Sequence, residues 1–370
     1  MTYQRGWATD DAGMRSGMRV VVTGATGNVG SRLIPALLAH SAVTSVVGIA
    51  RRLPKEPDAR AQWVAADVAA ADLAPLFRGA DVVIHLAWLL QPAHDPAEMK
   101  RVNIGGTRRV LAAVVGQDVP ALVHASSIGA YSPGPNDAPV SESHPTGGIA
   151  TSTYSRHKAQ AEQMLDALQG EHPGLRIVRL RPGVVLQADA ASELARYFLG
   201  PFVPQSLVRT ALLPVIPDIA DLAVQELHAD DMARAYVLAV TSPVSGAFNI
   251  ASAPVLTPAV LAQRLNARLV PFPAALARAA VSASWRLHLQ PTDPGWVDIA
   301  RLGPVMDIGR AHTVLGWQPT VRADDALVEV LDAMGQGRGG HSPVMRPRAS
   351  LPGRLLEVAR AVVPGARGTG

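Results

Sequence analysis

The feature that most constrains this chain is a glycine-rich turn near its beginning. The strand-forming run Arg19-Val20-Val21-Val22 leads into Thr23-Gly24-Ala25-Thr26-Gly27-Asn28-Val29-Gly30, and Val29, Leu33, Ile34, Leu37 and Leu38 then recur at helical spacing. A strand, a tight loop and a helix in that order turn backbone N–H groups at the positive end of the helix toward a pyrophosphate. Glycine is needed because a side chain would block that approach. Gly24, Gly27, Asn28, Val29 and Gly30 are therefore the candidate phosphate contacts.

Short apolar runs of the same kind follow at Val43–Ile49, Trp63–Ala66, Val82–His85, Ala121–His124 and Arg176–Leu180, with helical patterns over 96–115 and 151–168 between them. This alternation predicts an α/β fold with a parallel, doubly wound Rossmann sheet. The beat breaks after Gly183, where prolines scatter, and returns over 223–252. The expected organisation is a flexible N-terminal extension (1–17), a dinucleotide-binding domain (18–183 and 223–252), and a smaller discontinuous substrate-binding cap (184–222 and 253–334). The cap is expected over the carboxyl edge of the sheet, where open α/β sheets bind ligands. Residues 335–370 read as a basic, flexible tail in which 350–363 has the pattern of an amphipathic helix.

Composition narrows the class. Apolar residues make up 48% and charged residues 17%, so the chain is expected to fold. No apolar run approaches the roughly 20 residues of a membrane span. The absence of cysteine excludes disulfides and iron–sulfur clusters, and a soluble cytoplasmic protein is the default expectation. The net charge of +4 sits in the tail, whose six arginines face one acid and leave 28 basic against 29 acidic residues elsewhere. Nucleic acid is therefore not an expected partner. The 11 histidines are scattered without ligand spacing, so no metal is expected; His85 reads as a packed strand-end residue, and Asp230 or Asp231 as a helix cap.

Two further patterns carry chemistry. Tyr154 and Lys158 lie four apart on one face of a predicted helix, in a chain with 31 arginines and three lysines. A phenol of pKa about 10, lowered by a neighbouring ammonium and a bound nicotinamide cation, is a general acid/base, and Ser127 at the end of a strand is placed to hold a reacting oxygen. About 20 residues beyond the glycine loop, an acid would read a ribose 2′-OH and an arginine would accommodate a 2′-phosphate. Ala50, Arg51 and Arg52 stand there, so NADP(H) is expected over NAD(H).

Together these motifs resemble the extended short-chain dehydrogenase/reductases, also called the NAD-dependent epimerase/dehydratase family. The resemblance covers about 18–334 and rests on TGATGNVG (23–30), Asp67-Val68, HLAW (85–88), NIGGT (103–107), SSIGAY (126–131), YSRHK (154–158), RPGVV (181–185), HADDMARA (228–235), FNIAS (248–252) and LGWQPT (315–320). It implies that Tyr154 is the catalytic acid/base, that Lys158 lowers its pKa and binds the nicotinamide ribose, and that Ser127 binds the reacting oxygen. It also implies adenine contacts from Asp67 and Val68, cofactor contacts from Ala87 and Asn103, and a nicotinamide-facing turn at Pro182, Gly183 and Val184. A homodimer through the helices at 96–115 and 151–168 is implied as well. The stretches RLRPGVVL and RLGPVMDIGRA stand where nucleotide-sugar members carry other patterns, which removes support for a UDP-sugar. The leading expectation is an NAD(P)-dependent oxidoreductase acting on a carbonyl or secondary alcohol of a small molecule. The alternatives are an epimerase or dehydratase on a sugar nucleotide and a non-catalytic dinucleotide sensor.

Overall fold

The structure is a computed structural model that describes residues 17–90, 94–135, 137–198 and 214–347. The expected N-terminal extension up to residue 16 and the expected helix at 350–363 lie outside the described residues. Through the first half, the chain runs β1 (Met18–Thr23), α1 (Asn28–Leu38), β2 (Val43–Ala50), β3 (Gln62–Ala65), α2 (Ala74–Phe77), β4 (Val82–His85), α3 (Pro96–Lys100), α4 (Thr107–Gly116), β5 (Ala121–Ala125), α5 (Thr153–Glu171) and β6 (Arg176–Pro182). It continues with β7 (Val184–Leu186), α6 (Ala191–Phe198), β8 (Val215–Asp218), β9 (Val224–His228), α7 (Ala229–Thr241), β10 (Gly246–Ile250), β11 (Ser252–Leu256), α8 (Pro258–Arg264) and β12 (Arg268–Pro271). Helices α9 (Ala274–Arg286), α10 (Gly295–Leu302), α11 (Gly309–Thr313) and α12 (Ala323–Gly335) follow.

Seven strands form one sheet in the order β10-β6-β5-β4-β1-β2-β3. Each pairing is parallel, as the alternation of strands and helices predicts. Because successive side chains of a strand point to opposite faces, β1 divides its valines between two cores. Val20 and Val22 pack with Leu33 and Leu37 of α1 and Met232 and Tyr236 of α7, whereas Val21 packs with Val110 and Val114 of α4 and Leu165 of α5. Burial on both faces is why β1 and β4 read as unbroken apolar runs rather than alternating ones.

Beyond Pro182 the chain leaves the main sheet. Strand β7 runs parallel to β9, which pairs antiparallel with β11, and β8 pairs with β12. The expectation of a flexible tail from Gly335 does not hold for residues 335–347. Met345 is buried with Leu194 of α6 and Val330 of α12, and the Ser192 N–H donates to the Arg338 carbonyl at 3.1 Å. A buried apolar side chain between two helices ties this stretch to the body despite its glycine content. The remainder of the tail lies outside the described residues.

Glu226, in the middle of β9, pairs with Val184 on one side and Ser252 on the other. It is buried, its Oε2 has no hydrogen-bond partner, and burial pushes its carboxyl up to about 8. The folded protein therefore holds a proton that the unfolded chain releases near its ordinary pKa of 4.5. The stability contributed by the neutral acid is present below that value and is lost as pH rises through about 8, by up to about 1.4 kcal/mol per pH unit. Denaturant unfolding of Glu226→Gln and wild type across this range should show the variant gaining relative stability as pH rises; a difference independent of pH would contradict the burial of a neutral acid.

Candidate active site

The glycine loop owes its shape to close approaches that leave no space for a methyl group. Gly24 has φ +75°, and a Cβ there would lie 2.6 Å from the Ala87 nitrogen. A Cβ on Gly30 would lie 2.6 Å from the Ala25 carbonyl oxygen, so α1 seats directly on the loop. Gly27 caps α1, leaving the first N–H groups of the helix without intrahelical acceptors. This cradle, at the positive end of a helix, fits the pyrophosphate of a dinucleotide.

The loop opens one groove lined by Gly24, Gly27, Arg51, Asp67, Val68 and Ala87. Arg51 is exposed at its mouth. The Asp67 carboxylate accepts from the Ala69 N–H at 3.0 Å and pairs with Arg101 at 3.0 Å. Burial opposes its ionisation, but these two donors outweigh it and hold the carboxyl below its ordinary range.

Other predicted residues act through the backbone. The Asn28 side chain donates to the Val185 carbonyl at 2.8 Å and accepts from Gln187 at 2.7 Å, so it fastens the loop to β7 while its own N–H stays at the helix end. Val29 packs against the core. Asn103, buried in a π-helical turn between α3 and α4, accepts from the Leu89 N–H at 2.7 Å and donates to the Leu89 carbonyl at 2.9 Å. It thereby fixes the segment that carries Ala87 along the groove. Pro182, Gly183 and Val184 form the bend from β6 to β7, where a Cβ on Gly183 would lie 2.1 Å from the Gln225 carbonyl oxygen. His85 bridges Thr23 at 2.8 Å and Thr107 at 3.0 Å, and burial together with the Lys158 charge pushes it down to about 3.

Next to Trp88, which lines the groove, the structure brings Ser127, Tyr154 and Lys158 together. Ser127 follows β5 and accepts from the Gly129 N–H at 3.0 Å, and its hydroxyl is near enough to Tyr154 to favour the ionised phenol. Gly129 makes the contact possible, since a Cβ there would lie 2.8 Å from the Tyr154 ring. Lys158, one turn further along α5, is buried and donates to the Ala125 carbonyl at 2.7 Å. Its ammonium also lies 3.6 Å from the centre of the Trp88 ring, and Trp88 lines the groove.

The phenol's ionisation differs from the expectation. Burial pushes Tyr154 up to about 12, with Ser127 acting in the opposite direction. Burial also pushes Lys158 down to about 7, opposed by Glu162. The protein's own groups therefore hold Tyr154 as a neutral proton donor. Beneath Lys158, the buried Glu162 carboxylate is bound by Arg181 at 2.8 Å, Arg179 at 3.0 Å and Ser126 at 2.5 Å, a cluster that locks α5 to β5 and β6.

Sequence reasoning missed several lining residues. Trp88 lay unremarked in a recognised motif, whereas Glu193, Tyr197 and Val344 reach the groove from α6 and the tail by long-range packing. Tyr197 donates to Glu193 at 2.8 Å, and burial pushes the Glu193 carboxyl up. Arg196 donates to the carbonyls of Val344 and Arg346, and Ser342 to the carbonyl of Thr26, so the tail closes over the glycine loop. Among the described residues, no group of three His, Cys, Asp or Glu is placed to hold a metal, and no helix is long and apolar enough to cross a membrane.

A parallel Rossmann sheet with a glycine cradle at the first helix defines a dinucleotide-binding α/β protein. The profile of the NAD dependent epimerase/dehydratase family matches residues 20–251, and the chain belongs to that family. An uncharacterized protein of Mycobacterium tuberculosis is 28% identical over 345 residues, covering 92% of this chain but 32% of that protein. The chain thus spans about a third of that relative's length. A 4-hydroxy-2-methyl-3-oxo-4-farnesyl-3,4-dihydroquinoline-1-oxide ketoreductase of Stigmatella aurantiaca is 34% identical over 186 residues, 48% of this chain and 53% of the ketoreductase. In fold, the chain is similar to the UDP-glucuronic acid 4-epimerase from Bacillus cereus in complex with NAD, with a TM-score of 0.64 and 23% identity over 86% of this chain and 99% of the epimerase.

Ending the chain after Gly335 removes Val344 from the groove wall and the buried Met345 from between α6 and α12. The lost burial of Met345 alone should cost roughly 1.5–3 kcal/mol. A lower Tm and weaker dinucleotide binding are expected for the truncated protein; calorimetric scans and titrations matching the full chain would show that the tail's contacts contribute nothing.

Proposed function

We propose that this chain is an NAD(P)-dependent oxidoreductase that interconverts a carbonyl and a secondary alcohol on a small molecule. The observation that carries this reading is the convergence of Ser127, Tyr154 and Lys158 beside Trp88, a residue that also lines the groove beginning at the glycine cradle. The name of the ketoreductase relative supports carbonyl chemistry. The dinucleotide, when bound, supplies or accepts the hydride at its nicotinamide ring. Ser127 orients the substrate oxygen, and the neutral Tyr154 phenol gives that oxygen its proton as the carbonyl carbon gains hydride. In the opposite direction Tyr154 takes the proton back. Lys158, held between Ala125 and Trp88, binds the nicotinamide ribose.

Pro182, Gly183 and Val184 face the nicotinamide amide in this reading, and Asp67 and Val68 flank the adenine. The groove is proposed to favour NADP(H). Arg51 stands at its mouth without an acid following β2, and the acids that line it are engaged, Asp67 by Arg101 and Glu193 by Tyr197. A charge-assisted contact to the 2′-phosphate is worth on the order of 1–3 kcal/mol. Titration of both dinucleotides should show tighter binding of NADP(H), with the preference lost in Arg51→Ala; equal affinities in wild type would contradict it. A homodimer is proposed across α4 and α5, where Leu111, Val115, Met164 and Leu168 wall a shallow depression.

Tyr154→Phe keeps the ring against Gly129 and removes the proton carrier. Turnover of a carbonyl substrate, followed by oxidation of the reduced dinucleotide, should fall by roughly 10²-fold or more while dinucleotide affinity is retained. Near-normal turnover by this variant would overturn the assignment.

A further inference from the structure

We propose that the substrate is an uncharged ketone or alcohol carried on an apolar ring system rather than a sugar nucleotide; this rests on the oxidoreductase reading above and specifies what its site takes. The Tyr154 ring faces Trp296 of α10, with centroids 4.7 Å apart and planes tilted by 30°, and it meets Trp88 edge-on at 6.3 Å. Phe198, at the end of α6, stands edge-on to Trp296 at 5.4 Å and extends the same wall. The wall is held close to the catalytic helix. Gly295 opens α10, and a Cβ there would lie 2.6 Å from the Ser152 Cα, so the cap rests directly on the start of α5.

The acids that accompany this wall disfavour a diphosphate against α10. Just before α10, Asp293 is partly buried and its carboxyl is pushed up by that burial. Asp298, within α10, is buried and takes the Arg278 guanidinium in a two-pronged pair at 2.8 and 2.9 Å, which occupies that cation. A diphosphate against the start of α10 would meet the acids Asp293 and Asp298 and the Trp296 indole. An apolar ring instead gains stacking area on Trp296, and aromatic pairs of this geometry attract beyond the area they bury. The Trp88 indole N–H is buried without an acceptor, so it offers one hydrogen bond to a polar atom on an otherwise apolar ligand.

The probe is 4-chromanone, a bicyclic ketone with one ring oxygen, titrated calorimetrically into the full chain and compared with UDP-glucose. Saturable binding of 4-chromanone, tighter than that of UDP-glucose, is expected. Trp296→Ala should weaken it about tenfold or more with dinucleotide affinity unchanged. Trp296→Phe, which keeps a ring in place, should stay within about threefold and guards against a folding defect. Tighter binding of UDP-glucose, or 4-chromanone binding indifferent to Trp296→Ala, overturns the proposal. Turnover separates the two readings. If 4-chromanone binds through Trp296 but is not reduced with either dinucleotide, the apolar site stands and the reductase reading falls. If Tyr154-dependent turnover occurs with UDP-glucose and not with 4-chromanone, the redox reading stands and this inference falls.

Discussion

The contact between the glycine loop and the segment after β4 governs the rest of the architecture. With 2.6 Å between the Ala87 nitrogen and the place a Gly24 Cβ would occupy, the two segments lie as near as backbones can pack. That proximity makes one wall of the groove from the loop and the other from Ala87, Trp88 and Leu89. A methyl group at Gly24 would need both φ +75° and a displaced β4 segment, so its cost is strain and lost packing together. The Asn103 amide guards the same geometry from behind by binding both polar groups of Leu89.

Below the groove, the polar interior is organised by one carboxylate. Glu162 collects two guanidinium groups and a hydroxyl in a fully buried position, which satisfies an ion that would otherwise be strongly destabilising. It lies one helical turn beyond Lys158, as Lys158 lies one turn beyond Tyr154, so a single face of α5 carries the proton donor, the ammonium and the anchor. Arg181 continues the network to the Tyr131 hydroxyl at 2.9 Å, and Tyr131 donates to Asn249 of β10 at 2.6 Å. The orientation of the catalytic helix is thus referred to three strands of the main sheet.

What was legible in the sequence follows from the range of the interactions involved. The strands buried on both faces announce themselves as continuous apolar runs, and the spacing of Tyr154 and Lys158 follows from the helical period, so both could be read locally. Asn103 shows the limit. Resemblance implies a cofactor-side residue, whereas its amide is spent on a backbone 14 positions away. Trp88 stood inside a recognised motif, but its place over an ammonium 70 positions later depends on the packing of β4 beside β5. Glu193, Tyr197 and Val344 come from stretches where periodicity had broken down, and no local pattern marks them as groove residues. The upward push of burial on Tyr154 is not legible in the sequence, because charge neighbours can be guessed from spacing whereas desolvation depends on long-range packing. The tail's glycines suggest a linker, yet the buried Met345 and the hydrogen bonds of Ser342 and Arg196 fasten it to the body.

The Ser342 hydroxyl that reaches the Thr26 carbonyl spans 316 positions of sequence. During synthesis the glycine loop emerges long before its cover does. The Rossmann strands can therefore assemble on the ribosome with their phosphate cradle still open to solvent, and the groove acquires its full wall only after Val344 has emerged. A chain stopped before Ser342 would keep the glycine loop but lack the segment that closes over it.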